Sequence, residues 1–309
     1  MSDLLNFHPT TEPGHELRKE IRRISNQVRA RRVMMSRLMM ATCMAALVLA
    51  AVPLVLLMYQ LVKQGASQLT QTFFTSPPET PSLISASPGG VSNAIVGTIA
   101  LTIYASIMAI PLGVLVGIYL AETESKFASV LRVVAQTMAG APSILMGLFA
   151  FSFIVHDLNI GFSAIAGSFA LAVLMMPVIM ISTEIAVRGV PATLREAGLA
   201  LGAKPHKVSL RIVLPAALTG VVTGVILAVS RAVGETAPVL LVIGGGFINS
   251  WQPLNPVSSM PLSIYENAKS GWPSQRAQVW GVALVLVLFV FILSLAARIW
   301  AARKQRVRI

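Results

Sequence analysis

Residues 196 to 215 read EAGLALGAKPHKVSLRIVLP. This stretch is charged, contains Gly198 and Gly202, and lies between two long apolar segments. Pro191 suits the first turn of a short helix, and Gly202 is a natural place for that helix to stop. The stretch is therefore predicted to form a hairpin, in which Ala197, Gly198 and Ala200 leave a narrow face for another protein. Residue types alone equally fit an interfacial loop whose cations lie at lipid headgroups.

Six apolar segments surround this hairpin. Of 309 residues, 55% are hydrophobic and 12% charged, whereas ordinary globular chains carry about a quarter charged residues. About 20 apolar residues cross a bilayer core, and a backbone inside lipid satisfies its own hydrogen bonds as a helix. The sequence thus predicts an all-α polytopic integral membrane protein, with the hairpin between spans four and five. The six predicted transmembrane helices are Met39–Val62, Ala94–Leu120, Val133–Val155, Phe162–Ile181, Ala217–Ile243 and Trp280–Ala297.

The distribution of Lys and Arg predicts the orientation. All but four of the 24 lie before span one, after span six, in the hairpin region, or between spans two and three. Positive charges collect on the cytoplasmic side of membranes, so both termini and the hairpin are predicted to be cytoplasmic. The net charge of +12 is then a topology signal and not a sign of nucleic-acid binding.

Composition divides the chain into five predicted regions. They are a basic cytoplasmic arm (1–38), an accessory transmembrane helix (39–62), an extracytoplasmic loop (63–90), a transport domain (91–297) and a basic tail (298–309). Apolar and basic residues alternate along the arm at helical spacing, which predicts that it lies on the anionic inner leaflet. The loop is rich in Ser, Thr and Pro and is predicted to lack a core of its own. The accessory helix is predicted to pack on the outside of the transport domain.

Small residues and prolines mark several of the spans. Gly113 and Gly117 in span two, and Gly220 and Gly224 in span five, have the spacing that lets helices approach closely in lipid. We predict that both pairs pack within this subunit, with a subunit interface as the alternative. A proline inside a helix removes a backbone donor and tends to kink it. Pro111, Pro142, Pro177 and Pro238 lie inside four different spans.

Span five holds a charged pair. Arg231 is near the midpoint of the apolar stretch from 217 to 243, and Glu235 follows four residues later on the same helical face. A charge at the centre of a span costs about 2.5–3.5 kcal/mol on insertion scales, so Arg231 needs a partner or a wet cavity. Its guanidinium could bind two oxygens of an oxyanion in a pathway, where Glu235 would keep binding weak enough for release. The alternative is an intrahelical ion pair that only neutralises itself.

The sequence contains no recognisable catalytic or nucleotide-binding motif. It lacks G-x-x-x-x-G-K-[ST], H-E-x-x-H and G-x-S-x-G, and its single Cys43 excludes a multi-cysteine metal site. We predict no catalytic residue, metal or cofactor, so any energy source is another chain. An intramembrane enzyme would need paired carboxylates or His in the spans. A membrane sensor acting through the basic arm would not need the hairpin.

Four segments resemble one family. The pattern of Glu196-Ala197-Gly198, then Gly202, then Ile212-x-Leu214-Pro215 resembles the EAA loop of ATP-binding-cassette importer permeases, with Gly198 in place of the usual second Ala. The segments NAIVG (93–97) and GAPSIL (140–145) resemble the phosphate-specific permeases. RAVGETAP (231–238) is similar to the signature of their A-type subunit. The resemblance covers roughly residues 90 to 297 and leaves out the basic arm.

The resemblance implies a type I importer permease fold in the cell inner membrane, serving as a permease subunit of an ATP-driven phosphate importer. It implies a sister permease that completes a heterodimeric pore, two ATP-binding-cassette ATPase subunits and an extracytoplasmic phosphate-binding protein. It assigns substrate translocation to Arg231, Glu235 and Thr236. It assigns ATPase coupling to Glu196, Ala197, Gly198, Gly202, Ile212, Leu214 and Pro215. A permease for phosphonate, sulfate or molybdate, or the sister phosphate permease, are the alternatives, and Thr236-Ala237-Pro238 favours phosphate.

Overall fold

The chain is helical through most of its described length. The structure, a computed structural model, describes residues 12–79 and 87–306, with side chains for 32–79 and 87–299. Within these residues it contains no strand beyond two isolated β-bridges. The helices are α1 (Glu12–Ala66), α2 (Gln71–Thr75), α3 (Ser92–Glu122), α4 (Lys126–Gly140), α5 (Ser143–Ala150), α6 (Ala164–Arg188), α7 (Ala192–Ala200), α8 (Pro205–Val208), α9 (Leu214–Val233), α10 (Ala237–Leu240), α11 (Met260–Ala268) and α12 (Pro273–Arg306). Two π-helical segments, Phe151–Asp157 and Ser209–Val213, extend α5 and join α8 to α9.

Long apolar helices dominate this architecture. Among the described residues, five helices are long and apolar enough to cross a membrane, and the bent pair of α4 and α5 makes a sixth candidate. The five are α1 from Arg32, α3, α6, α9 with the segment that precedes it, and α12. These helices agree with the predicted all-α membrane protein of six spans.

The chain divides into two compact units, residues 1–60 and 61–309. In the first unit, α1 runs from Glu12 through the predicted junction between arm and span one without a break. In the most apolar window of α1, none of the residues is buried by other parts of the protein. Residues 1–11 of the predicted arm lie outside the described residues. The proposed role of α1 as an accessory helix stays a prediction.

The second unit is built around α6, which lies between α3 and α9. A Cβ added at Gly113 of α3 would lie 2.8 Å from Ile179 Cγ2, and one at Gly117 would lie 2.6 Å from Thr183 Cβ. A Cβ at Gly224 of α9 would lie 2.2 Å from the Ser182 Cβ of α6, and one at Gly220 would lie 2.6 Å from the Ala186 Cβ. These distances leave no room for a side chain, because real Cβ contacts are longer. Both glycine pairs therefore pack within the subunit, which confirms that prediction.

Span three is not the single helix that the sequence predicted. It breaks at Ala141-Pro142 into α4 and α5, whose axes differ by 106°. Ala141 is extended, with φ −72° and ψ 144°, because the ring of a following proline disfavours helical backbone at the preceding residue. Pro142 then caps the start of α5 without needing an N–H donor. The break turns the chain where an uninterrupted span was expected.

Span five also ends earlier than predicted. Helix α9 stops at Val233, Gly234 forms its C-cap, and the short α10 begins at Ala237. Arg231 therefore lies in the last turn of α9 and not near the middle of a helix that runs from 217 to 243. The cause is the pair of weak helix formers that frames the break, since Gly234 has high backbone freedom and Pro238 lacks an N–H.

The segment that follows α1 belongs to the second unit and packs into its core. Phe73 of α2 is 3% exposed and packs in a cluster with Val91, Met260 and Val282. A Cβ at Gly281 of α12 would lie 3.0 Å from the Phe73 ring, so α2 rests directly on that helix. The predicted loop thus contributes a buried aromatic to a shared core. Its residues 80–86 lie outside the described residues.

Candidate functional site

The hairpin has the two-armed form expected from its sequence. Pro191 is the N-cap of α7, one residue before the first helical position, and α7 ends at Ala200. Gly202 has φ +77°, a left-handed conformation that glycine adopts without steric cost. The Gly202 N–H donates to the Leu199 carbonyl and the Ala203 N–H donates to the Gly198 carbonyl. The predicted stop at Gly202 is confirmed.

Gly198 packs the two arms of the hairpin against each other. It is buried, and a Cβ added to it would lie 2.7 Å from Ile212 Cδ1 and 3.1 Å from Val208 Cγ2. The narrow face predicted to receive another protein is therefore partly enclosed by the hairpin's own second arm. The nearest atom, Ile212 Cδ1, ends a flexible side chain and can move, whereas the buried and β-branched Val208 has less freedom to give way. Ile212 belongs to this internal contact, whereas Ala197 is exposed.

The hairpin also presents apolar side chains to its surroundings. Leu201 is 88% exposed, and Leu194, Leu199 and Leu210 are each more than 40% exposed. Glu196 is exposed too. Four exposed leucines within one short hairpin suit a protein-binding surface. Leu214 and Pro215 are half-buried where the hairpin continues into α9.

One arginine ties α7 to the long helices. Arg195 Nη2 lies 3.0 Å from Glu122 Oε1 at the end of α3. The same nitrogen donates to the carbonyl of Val187 in α6, at 2.8 Å. Sequence analysis missed this ion pair, because the two residues are far apart in the chain and no local pattern relates them.

A second ion cluster lies behind this pair. The Glu184 side chain, 9% exposed, accepts a hydrogen bond from Arg132 of α4 at 2.8 Å, and its Oε1 forms an ion pair with Arg188 Nη2 of α6 at 3.1 Å. Both arginines also donate to the Leu120 carbonyl in the last turn of α3. Cations stabilise the unsatisfied carbonyls at a helix C-terminus. The spacing of Glu184 and Arg188 on one helical face was the one signal in the sequence for this cluster.

Arg231 and Glu235 come together at the broken end of α9. Arg231 Nε lies 3.5 Å from Glu235 Oε1, at the long limit of a hydrogen bond. The Arg231 side chain is 45% exposed and that of Glu235 is 18% exposed. The pair is thus loose, and its guanidinium has further N–H groups beyond the one that faces the carboxylate.

Arg231 continues an exposed face of α9. Thr223 and Leu227 precede it at intervals of four residues and are exposed as well. Each interval raises the chain by about 6 Å along the helix axis, so the three side chains follow one another on one face. The neighbouring positions Ala228, Val229 and Ala232 are buried. Arg231 thus places a charge on a face of an otherwise apolar helix that also carries Thr223 and Leu227, and a charge there needs contact with water or another polar group.

The segment after α9 is held in place by close packing. A Cβ added at Gly147 of α5 would lie 2.6 Å from the Pro238 backbone, and one at Gly167 of α6 would lie 2.4 Å from Ile243 Cγ2. Thr236 is the N-cap of α10, and its carbonyl accepts from the Leu240 N–H at 2.9 Å. The α5 helix created by the break in span three thus positions the segment that contains Glu235 and Thr236.

A polar cavity of about 250 Å³ lies in the same second unit, near residues 244–246. Glu79, Asn93, Glu266 and Gln278 are among its lining residues. Burial raises the pKa of the Glu266 carboxyl above its ordinary value. Arg231, Glu235 and Thr236 do not line this cavity, so it is separate from the charged pair.

Comparison with known sequences identifies close relatives of the chain. Residues 109–306 match the family described as "Binding-protein-dependent transport system inner membrane component". The phosphate transport system permease protein PstA of Yersinia pestis is 34% identical over 257 residues, which cover 82% of this chain and 85% of that protein. PstA of Haemophilus influenzae is 34% identical over 251 residues, covering 81% and 87%. PstA 1 of Mycobacterium tuberculosis is 35% identical over 260 residues, covering 82% and 84%.

Solved structures show the same fold. A chain of the MetNI methionine ABC transporter in an inward-facing conformation superposes with a TM-score of 0.58 at 21% identity, covering 68% of this chain and 94% of that chain. A second crystal form of MetNI gives a TM-score of 0.54 at 20% identity, with 70% and 94% covered. The predicted type I importer permease architecture is thereby confirmed.

Proposed function

The chain belongs to the binding-protein-dependent inner membrane transport components, in the PstA family of phosphate transport system permeases, and we propose that it forms half of the pore of an ATP-driven phosphate importer. The observation that carries this proposal is the placement of Arg231. It lies 45% exposed on one face of an apolar helix, where a charge is costly unless it meets water or a ligand.

The exposed face of α9 is the proposed wall of the pathway. Arg231 offers an oxyanion a planar guanidinium that can donate two parallel hydrogen bonds. Thr223 lies on the same face, about 12 Å away along the helix axis, but its hydroxyl donates to the Thr219 carbonyl at 2.7 Å, so the guanidinium is the proposed donor to the anion. The ion pair with Glu235 does not exhaust the guanidinium, since the two groups are 3.5 Å apart. This loose pairing supports the pathway interpretation over a pair that only neutralises itself.

Glu235 and Thr236 are the proposed neighbours of the passing anion. A carboxylate beside the guanidinium weakens anion binding, and conduction requires binding that is weak enough for release. Thr236 follows the helix break, where backbone groups lie outside the regular ladder of α9. The last turn of α9 and the break that follows it thus place a cation, a carboxylate and a hydroxyl within residues 231–236.

The partners are proposed from the family. A half-pore needs a second permease subunit, for which we propose a sister phosphate permease. We propose that two ATPase subunits supply the energy, bound at Glu196 and at the exposed leucines of the hairpin, while Gly198, Gly202, Ile212, Leu214 and Pro215 shape the hairpin and its junction with α9. An extracytoplasmic protein delivers phosphate at the opposite face. Both termini are proposed to be cytoplasmic because, in a six-span topology, 20 of the 24 Lys and Arg then lie on the same side as the hairpin.

Substitution of Glu235 by glutamine is expected to reduce discrimination between phosphate and sulfate. Hydrogen phosphate carries a proton that a carboxylate can accept in a hydrogen bond, and sulfate carries none. A hydrogen bond to a charged group contributes about 1.5–3 kcal/mol, so the preference for phosphate should fall roughly tenfold or more. Competition of sulfate with labelled phosphate uptake measures it. Glu266→Gln, which changes a carboxylate off the α9 face, is the control, and full discrimination in Glu235→Gln would exclude this role.

The test of the proposed substrate is uptake of radiolabelled phosphate by the reconstituted complex. Phosphate and arsenate should compete, because they share shape and charge state, and sulfate should compete poorly. Sulfate competing as well as unlabelled phosphate would assign the chain to another oxyanion. This outcome would leave the permease fold intact and change only the substrate.

A further inference from the structure

The link between the hairpin and the long helices passes through few polar contacts. Helix α7 packs through Gly198 on the second arm of its own hairpin. Its Arg195 reaches away from that arm, to a carboxylate at the end of α3 and a carbonyl in α6. Arg195 therefore joins α7 directly to α3 and α6, so a force on α7 acts on both helices through this side chain.

The Arg195 contact is partly desolvated. Both side chains of the Arg195–Glu122 pair are 26% exposed, and the Arg195 Nε is buried with no hydrogen-bond partner among the described residues. A partly buried cation depends strongly on its counter-ion, because removing one partner leaves an uncompensated charge. Glu122 thus stabilises the Arg195 cation more than a carboxylate would in an ion pair exposed to solvent.

The receiving end of this contact is held rigidly. Arg132 and Arg188 both bind Glu184 and both donate to the Leu120 carbonyl, two residues before Glu122. The C-terminal ends of α3 and α6 are thereby joined to the middle of α4. A displacement of Glu122 consequently acts on all three helices.

We propose that Arg195 is a positioning residue whose ion pair with Glu122 transmits the movement of the ATPase-bound hairpin to α3. The proposal rests on the proposed function, because it assumes that an ATPase binds and moves this hairpin. Without the pair, the hairpin still binds the ATPase through its exposed surface. Movement of the hairpin then displaces α3 less, so less phosphate is transported for each ATP hydrolysed.

The test compares Glu122→Gln with Glu124→Gln in the full reconstituted complex. Glu124 is an exposed carboxylate two residues away and serves as the matched control. Coupling free energies between sites typically change affinities about 5–150-fold, and we expect the phosphate transported per ATP hydrolysed to fall about tenfold in Glu122→Gln alone. Hydrolysis itself should continue, which separates this effect from loss of assembly.

The charge swap Glu122→Arg with Arg195→Glu restores the pair in reverse and is expected to recover much of the transport ratio. If Glu122→Gln does not assemble, this double variant tests the inference in its place. A ratio in Glu122→Gln equal to that of Glu124→Gln, or an assembled swap with no recovery, would overturn the inference. Wild-type complex that transports no phosphate with ATP would instead overturn the proposed function, and this inference with it.

Discussion

Arg231→Gln is expected to lower ATP-driven phosphate uptake at least about 100-fold, with normal membrane insertion and assembly. The substitution removes two charge-assisted hydrogen bonds to the anion, which together contribute about 3 kcal/mol at the low end, and 1.4 kcal/mol corresponds to about tenfold. It also leaves Glu235 without its cation, so the remaining charge repels an anion. Uptake by proteoliposomes and the yield of assembled complex are the two measurements.

Two variants separate the chemistry of Arg231 from its charge. Arg231→Lys keeps the charge but cannot donate two parallel hydrogen bonds, and it is expected to give intermediate uptake. Lys269→Gln removes a cation that lies over the Tyr265 ring, away from the α9 face, and should leave uptake near normal. Normal uptake in Arg231→Gln would remove this residue from the pathway.

Glu196→Lys is expected to detach or uncouple the ATPase subunits. Glu196 is exposed on α7, so reversing its charge places a cation where the proposed partner surface complements an anion. Such a like-charge contact costs several kcal/mol, which weakens association on the order of 100-fold. Co-purification of the ATPase with the permease measures binding, and uptake measures coupling.

The same reversal outside the hairpin provides the control for Glu196→Lys. Glu124 is an exposed carboxylate in the turn between α3 and α4, and Glu124→Lys should keep the ATPase bound. If Glu196→Lys retained full co-purification together with full transport, the hairpin surface around this residue would not be the ATPase contact.

Sequence reasoning located the spans well but could not tell which prolines break them. Pro142 and Pro238 coincide with helix breaks, whereas Pro111 and Pro177 lie inside continuous helices. Gly113 lies between these two intact helices, close to Ile179. The helix also continues through Pro53 of α1, so a proline in the sequence does not by itself decide where a span breaks.

In the candidate site too, features set by neighbouring residues could be predicted, whereas contacts between residues far apart in the chain could not. The spacing of Glu196, Gly202 and Pro215 is local, and so the hairpin could be predicted from it. The position of Arg231 was misjudged because hydropathy continues through residues 234–243 although the helix stops at Gly234. The Arg195–Glu122 pair joins residues that only the fold brings together, so no pattern in the sequence pointed to it.

The central claim is that nucleotide hydrolysis by bound ATPase subunits drives phosphate past Arg231. Its most direct measurement is accumulation of labelled phosphate in proteoliposomes that contain the purified complex and the loaded binding protein, with ATP or a non-hydrolysable analogue. The account predicts accumulation with ATP, none with the analogue, and none with ATP in Arg231→Gln. Phosphate entry at the same rate without hydrolysis, or through the Arg231→Gln complex, would contradict it.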